Sequence, residues 1–295
     1  MNRLNALFYK DGIWAFLMLL PNLLGFLVFI VFPVGATFAL SFARWELPAD
    51  PEFAGLANYR RLFEDGVFAK VFWNTIYFSA VSVPVGIALS LFLALMLDQK
   101  IRFVRFYRAA FFIPVISSMV AIAVIWQWIY NPEFGLLNYV LSWFGIRGPT
   151  WLTSTKWAMV AVIITAVWKN LGFNMLIFLA GLQSIPDTYY EAAAIDGARW
   201  WARFRHITVP LLAPTTFFVT VMAIINSFQV FDVVYLMTQG GPARSTSVLV
   251  YYIYQNAFQF FDMGYASAVA YVLFFVVLFL TLLRFMRQKR VGVFY

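Results

Sequence analysis

The feature that most constrains this chain is a series of long stretches without one charged residue. No Asp, Glu, Lys or Arg occurs in 12–43, 71–97, 109–132 or 263–283. Two more stretches are interrupted once each, 157–186 by Lys169 and 207–243 by Asp232. Each stretch can form a helix of about 20 residues across a hydrocarbon core of about 30 Å. The sequence therefore predicts six membrane spans.

These runs predict helices because they lack the alternation of apolar and polar residues found in membrane strands. In lipid, only helices and closed barrels satisfy their backbone hydrogen bonds internally. We expect an all-α integral membrane protein with six transmembrane helices, at approximately 13–42, 72–97, 107–131, 157–183, 209–236 and 264–285. The first run resembles a secretory signal, but its apolar part is about twice the usual 7–15 residues. We therefore expect a retained helix.

Composition excludes several functions. Hydrophobic residues make up 63% of the 295 residues and charged residues 12%, against about 25% charged in soluble domains. The chain has no cysteine and one histidine, which excludes thiolate catalysis, Cys-ligated metals and multi-histidine metal sites. No phosphate-binding G-x-x-x-x-G-K-S/T motif occurs. We expect a non-catalytic chain with no cofactor of its own.

Lys and Arg predict the orientation. They are concentrated at Arg3 and Lys10, in 100–108, in 199–205 and in 284–290, and sparser in the loops between. By the positive-inside rule, these segments and both termini are cytoplasmic. The net charge of +8 is then mainly a topological signal, with attraction to membrane lipid as a secondary effect. Nucleic acid is not an expected partner.

A polar loop, 184–210, separates the fourth and fifth predicted spans. Ser184 and Asp187 have the spacing of a capping box, and Asp196-Gly197 is a typical helix end. A second short helix is expected over 198–206. The loop's residues fit a plain interfacial tether and a docking site for a partner equally well.

A wider pattern favours docking. Glu191-Ala192-Ala193, Gly197, Ile207 and Pro210, at these spacings, resemble the EAA loop of permease subunits of binding-protein-dependent ABC importers, although Val209 stands where the family usually has Leu. Thr238-Gln-Gly-Gly-Pro242 and Gly264-Tyr-Ala-Ser-Ala268 are similar to family patterns as well. The closest branch is the MalF/UgpA-type carbohydrate permeases.

The resemblance implies a single permease domain over 1–295 with the type I ABC importer (MetI-like) fold in the cell inner membrane. It further implies import of a carbohydrate by alternating access. The implied partners are a second homologous permease, an ATPase dimer that holds ATP and Mg, and an extracytoplasmic substrate-binding protein. In this family the loop forms a coupling helix that sits on the ATPase. The expected coupling residues are Glu191, Ala192, Ala193, Asp196, Gly197, Ala198 and Arg203. Arg199 and Arg203 are expected to form ion pairs, either with acidic groups on the ATPase or with lipid phosphates.

Polar residues within the spans are candidates for a substrate path. Amides and aromatic faces suit a sugar, and similar permeases line their cavity from the same two segments. The expected pathway residues are Trp168, Lys169, Asn170, Phe173, Asn174, Ala223, Asn226, Ser227 and Val230. Bonds between helices would also explain these polar groups. Two structural interpretations apply to Lys169 and Asp232: the two residues form an ion pair with each other, or their side chains reach the membrane interface.

Two other functions stay open at this point. A glycerol-3-phosphate or related phosphodiester importer is the first, because Lys169 suits a phosphate. An ion-coupled secondary transporter is the second, although Asp232 is the only acid within a span and no inverted repeat is evident.

Overall fold

The structure is a computed structural model that describes residues 11–99 and 102–290. Arg3, Lys10, Lys100 and both termini lie outside the described residues. The α-helices are α1 (Asp11–Phe26), α2 (Phe32–Ser41), α3 (Ala57–Glu64), α4 (Gly66–Leu97), α5 (Val104–Ile116), α6 (Met119–Ile129), α7 (Leu136–Trp143), α8 (Ala158–Gln183), α9 (Asp187–Ile195), α10 (Trp200–Arg203), α11 (Val209–Leu211), α12 (Ala213–Phe228), α13 (Asp232–Met237), α14 (Leu249–Tyr254) and α15 (Met263–Arg290). Strands β1 (Ala43–Arg44) and β2 (Glu52–Phe53) pair antiparallel.

Four helical stretches are long and apolar enough to cross a membrane: Trp14–Ser41, Gly66–Leu97, Ala158–Gln183 and Met263–Met286. Two bent helix pairs qualify when each pair is taken as one span, which gives up to six within the described residues. Trp14–Ser41 runs through α1 and α2, joined by a π-helical turn, Leu27–Val31. The architecture is that of an all-helical membrane protein.

The third and fifth spans, expected at 107–131 and 209–236, are each divided into separate helices. In the third, α5 and α6 meet at 101° around Ser117-Ser118. In the fifth, the segment Trp200–Leu211 meets α12 at 65°, and α12 ends at Phe228 before the separate α13. Pro214 lies in the first turn of α12; it lacks the N–H that would continue the preceding helix.

The chain divides into two compact units, which we describe separately. The first contains the described residues 11–64 and 255–271. Arg61 forms an ion pair with Asp262 at 2.6 Å and lies 4.1 Å from the centre of the Tyr265 ring. Asp262 also accepts a hydrogen bond from the Tyr265 backbone N–H, at the start of α15. These contacts fix α3 against the beginning of α15.

The second unit contains the described residues 65–99, 102–254 and 272–290, and its central helices are α4, α8 and α12. Two buried apolar clusters hold it together. One surrounds Val162, near the start of α8, and includes Phe78 and Val234. The other surrounds Phe178, near the end of α8, and includes Leu97 and Leu212. A polar cavity lies where α4, α8 and α12 face one another.

Candidate functional site

The cavity is built from one face of each of three helices. Its lining residues are Phe78, Ser82, Val83 and Gly86 of α4, Ala166, Val167, Asn170, Phe173 and Asn174 of α8, and Ala223, Asn226 and Ser227 of α12 with Val230 just beyond it. Positions 166, 170, 173 and 174 of α8 recur at helical spacing, as do 223, 226 and 227 of α12, so each set shares one face. The volume is about 90 Å³.

The lining combines apolar side chains with uncharged polar groups. Asn170, Asn174 and Asn226 supply amide donors and acceptors, and Ser82 and Ser227 supply hydroxyls. Asn170 donates to its own helix, at the Ala166 carbonyl (2.9 Å), while the buried Ser82 Oγ makes no hydrogen bond to the described residues. A buried polar atom without a partner is uncommon in proteins. This arrangement suits a neutral, hydroxyl-rich ligand.

Seven of the nine expected pathway residues line the cavity, and Trp168 and Lys169 lie elsewhere. Trp168 faces an apolar groove on the other side of α8, with Tyr77 and Val81 among its neighbours. Its ring meets that of Trp126 edge-on at 5.4 Å. Neighbouring residues of a helix point about 100° apart, so a run such as 168–170 cannot share one face.

Lys169 has a structural position at the break in the third span. Its Nζ lies 3.3–3.4 Å from the carbonyl oxygens of Pro114, Val115 and Ser117. These carbonyls belong to the last turn of α5, which has no intrahelical donors left for them. The ammonium group also opposes the negative end of the helix dipole. An ion pair with Asp232 is absent between these two described residues, so that interpretation was wrong. Asp232 instead begins α13.

Sequence reasoning missed the contribution of α4. Ser79, Ser82, Gly86 and Ser90 recur every three or four residues along the charge-free part of this helix, 71–97. Small residues at this spacing mark a face where another helix comes close. Ser90 donates to the Leu171 carbonyl of α8 at 3.2 Å, and Ser82 and Gly86 reach the cavity. That periodicity was the available signal.

The loop 184–210 contains α9, whose residues are mostly exposed. Glu191, Ala192 and Asp196 are exposed, Ala193 and Ala198 are half-buried, and Ile195 retains 88% of its accessible surface. Tyr190 is the residue that holds α9 to the unit. Its ring packs on the Phe178 cluster, and its hydroxyl lies 3.0 Å from Thr208 Oγ1. One side of α9 is thus anchored and the rest is open.

Gly197 ends α9 in a Schellman motif. The Gly197 N–H bonds the Ala194 carbonyl (3.1 Å) and the Ala198 N–H bonds the Ala193 carbonyl (2.8 Å). Its φ of +74° lies in the left-handed region, which glycine adopts without a Cβ penalty. Arg203 supports the same turn, because its Nε donates to the Ala198 carbonyl at 2.8 Å.

The expected capping box at the start of α9 is absent. The helix has no side-chain cap, and Pro186 occupies the N-cap position. Ser184 Oγ bonds backward to the Gly181 carbonyl at 2.7 Å. Ser184 still lies in the final turn of α8, so its hydroxyl satisfies that helix end instead.

Asp98 connects the end of α4 to this loop electrostatically. Partial burial raises the pKa of its carboxyl, and the charge of Asp187 acts in the same direction. A hydrogen bond with Gln183 and the charge of Arg108 oppose that increase. Arg108 also donates to the Leu97 carbonyl at 3.0 Å. The C-terminal ends of α4 and α8 and the start of α9 therefore share one polar cluster.

Residues 86–290 match the family model described as binding-protein-dependent transport system inner membrane component. The chain is 37% identical to the sulfoquinovosyl glycerol transport system permease protein SmoG of Agrobacterium fabrum, over 95% of this chain and 92% of that protein. It is 34% identical to the sn-glycerol-3-phosphate transport system permease protein UgpA of Pectobacterium atrosepticum, over 96% of each. A chain from the crystal structure of a bacterial ABC transporter that imports the acidic polysaccharide alginate matches with a TM-score of 0.84 and 26% identity, over 98% of this chain and 99% of that chain.

Proposed function

This chain belongs to the family of inner membrane components of binding-protein-dependent transport systems, and we propose that the substrate it carries is a carbohydrate. As a member it is a non-catalytic, multi-pass permease subunit of an ABC importer. The observation that carries the substrate proposal is the cavity lining of amides, hydroxyls and the Phe78 and Phe173 rings. Sugars offer many hydroxyls to such groups and apolar ring faces to aromatic side chains.

The cavity is half of a complete site. Its volume of about 90 Å³ is small beside the roughly 300–1,000 Å³ of complete ligand pockets. A second, homologous permease supplies the facing half, so that the substrate is held between two subunits. Uptake proceeds by alternating access after an extracytoplasmic binding protein delivers the substrate.

The loop connects this cavity to a partner ATPase, which binds ATP and Mg. The open side of α9, with Glu191, Ala192 and Asp196, docks on the ATPase. Tyr190 then transmits movement of α9 into the Phe178 cluster, which contains residues of α4, α8 and the start of the fifth span. Two of these helices, α4 and α8, line the cavity directly. Coupling is thus a rigid-body displacement through packed side chains.

A glycerol-3-phosphate or related phosphodiester is the second candidate substrate. The relationship to UgpA favours it. The uncharged lining weighs against it, because Lys169 binds carbonyls of α5 and a phosphate would lack a cation among the described lining residues. Family membership removes the main reason to consider an ion-coupled secondary transporter.

Uptake in proteoliposomes tests the substrate proposal. The complete transporter is reconstituted with its binding protein, and uptake of that protein's ligand is measured for Asn226→Leu and for Phe218→Leu on the lipid-exposed side of α12. We expect Asn226→Leu to lower uptake about ten- to hundredfold, since an unsatisfied polar partner in a closed site costs about 1–3 kcal/mol. Phe218→Leu should leave it unchanged. Equal uptake by both variants, or a binding protein that retains only phosphate esters, would refute the carbohydrate proposal.

A further inference from the structure

An exposed aromatic cluster lies just after the coupling helix. It consists of Trp200, Trp201 and Phe204, with Trp200 67% and Trp201 59% exposed. Trp200 and Phe204 stack with centroids 5.6 Å apart and planes 3° apart, and Trp201 lies 5.5 Å from Phe204. The stack fixes the rings as one apolar surface. Rings of this kind are enriched where membrane lipid meets water.

Basic side chains surround this aromatic cluster. Arg199 and Arg205 are exposed, and neither forms an ion pair with a described residue. Arg203 is half-buried and holds the Ala198 carbonyl through Nε. Two guanidinium groups are therefore free to bind an external anion.

The bend in the backbone indicates how this segment lies relative to the neighbouring span. Trp200–Leu211 is bent by 65° from α12. If α12 runs through the membrane, the segment lies closer to the membrane plane than to its normal. Helices that lie at the interface combine an aromatic surface with Lys or Arg at the headgroups. On the predicted orientation, the adjacent leaflet is the cytoplasmic one, which carries the anionic lipids.

We propose that 199–205 is a binding site for anionic phospholipid headgroups. The Trp200, Trp201 and Phe204 rings lie at the boundary between headgroups and acyl chains, while Arg199 and Arg205 bind lipid phosphates. Guanidinium groups suit this role, because they form paired, charge-assisted hydrogen bonds with phosphate oxygens. The site fixes the depth of the coupling loop from the side opposite the ATPase. It rests on the proposed orientation but not on the identity of the substrate.

Lipid binding tests this proposal directly. The complete transporter is purified from proteoliposomes of phosphatidylcholine with added phosphatidylglycerol, and the phosphatidylglycerol retained per complex is measured by mass spectrometry. Each basic residue near an anionic surface contributes about 1 kcal/mol. We therefore expect the complex with Arg199→Gln/Arg205→Gln to bind phosphatidylglycerol about fivefold more weakly for each arginine removed. The matched control is Arg44→Gln/Arg147→Gln, which removes two exposed arginines from the predicted outside loops and should bind like the wild type.

A second measurement separates lipid from the ATPase as the occupant. Trp200→Ser/Trp201→Ser should lower the phosphatidylglycerol retained per complex while the ATPase still copurifies. Unchanged lipid retention in the arginine variant would overturn the proposal. So would loss of the ATPase from the arginine or tryptophan variant at normal lipid retention, because the cluster would then belong to the protein interface. If uptake fails for every substrate tested, the retention measurement still decides this point.

Discussion

The coupling loop and the cavity are assembled in opposite ways. The loop consists of consecutive residues from 184 to 210, and its main determinant, the turn at Gly197, depends on hydrogen bonds within five residues. The cavity combines three helices whose lining residues extend from Phe78 to Val230. The loop leaves most side chains of α9 exposed, whereas the cavity combines buried Ser82 and Ser227 with exposed Asn170 and Asn226. Substitutions in the loop should therefore disturb coupling, and those in the cavity should disturb substrate transfer.

The largest effect is expected at Gly197. Gly197→Val leaves open space around the new side chain but forces a β-branched residue into positive φ, at a cost of about 1–2 kcal/mol. We expect the variant to insert and to lose uptake together with the stimulation of ATP hydrolysis by the loaded binding protein. Uptake and ATPase activity of the reconstituted transporter measure both.

Gly145 provides the matched control for that variant. It ends α7 with φ +69° and the same pair of hydrogen bonds, from Gly145 N–H to Ser142 and from Ile146 N–H to Leu141. Its surroundings are equally open. Gly145→Val carries the same strain in a predicted outside loop, so ATPase stimulation should persist. Equal loss in both variants would mean that strain alone, and not the position in the coupling loop, explains the defect.

A substitution at Lys169 tests whether this residue stabilises the fold or contacts the substrate. Lys169→Met leaves the Val115 and neighbouring carbonyls without their donor, which should lower the free energy of unfolding by about 1–3 kcal/mol. Thermal unfolding of the purified complex measures this, with the exposed Lys156→Met as control. Substrate preference should not change. A variant of normal stability that no longer discriminates among substrates would place Lys169 in the path.

A substitution at Tyr190 tests how the loop transmits movement to the helices. Tyr190→Phe removes the hydroxyl that lies 3.0 Å from Thr208 Oγ1 but keeps the ring on its cluster. Because a hydrogen bond contributes about 0.5–1.5 kcal/mol, we expect uptake per ATP hydrolysed to fall a few-fold. Tyr189→Phe, at a 51% exposed neighbour, should couple normally. Equal coupling in both variants would remove Tyr190 from the transmission path.

The smallest effect concerns Asp98 and pH. Because burial raises the pKa of its carboxyl, the folded chain holds the proton more tightly than the unfolded chain. Stability from this group is present at low pH and is lost as pH rises through the raised pKa. Asp98→Asn should therefore unfold at a slightly higher temperature at neutral pH, and the difference should disappear in acid. A variant less stable than the wild type at neutral pH would show that the charged form stabilises the cluster.

Local features of the sequence predicted the end of α9 but not its start, and predicted the cavity only in part. Charge-free runs placed the membrane helices, because lipid excludes unpaired charge, and Asp196-Gly197 marked the end of α9. Hydropathy gives the length of an apolar stretch but not the direction of its helix axis. It therefore did not predict the bends at Ser117-Ser118 and before Ala213. Lys169 was misjudged because its partners are backbone carbonyls, which no residue pattern reveals. The α4 wall was missed because Ser82 and Gly86 matter only once α8 and α12 face them.

The measurement that tests the central claim most directly is protection of the cavity by substrate. The chain has no native cysteine, so Ser227→Cys introduces a single thiol in the cavity and Trp168→Cys one in the apolar groove. The rate of thiol modification is measured in the reconstituted complex with and without the ligand-loaded binding protein. We predict that ligand slows modification of Ser227→Cys and leaves that of Trp168→Cys unchanged. Protection of Trp168→Cys alone would contradict the account, because the substrate would then pass on the other side of α8.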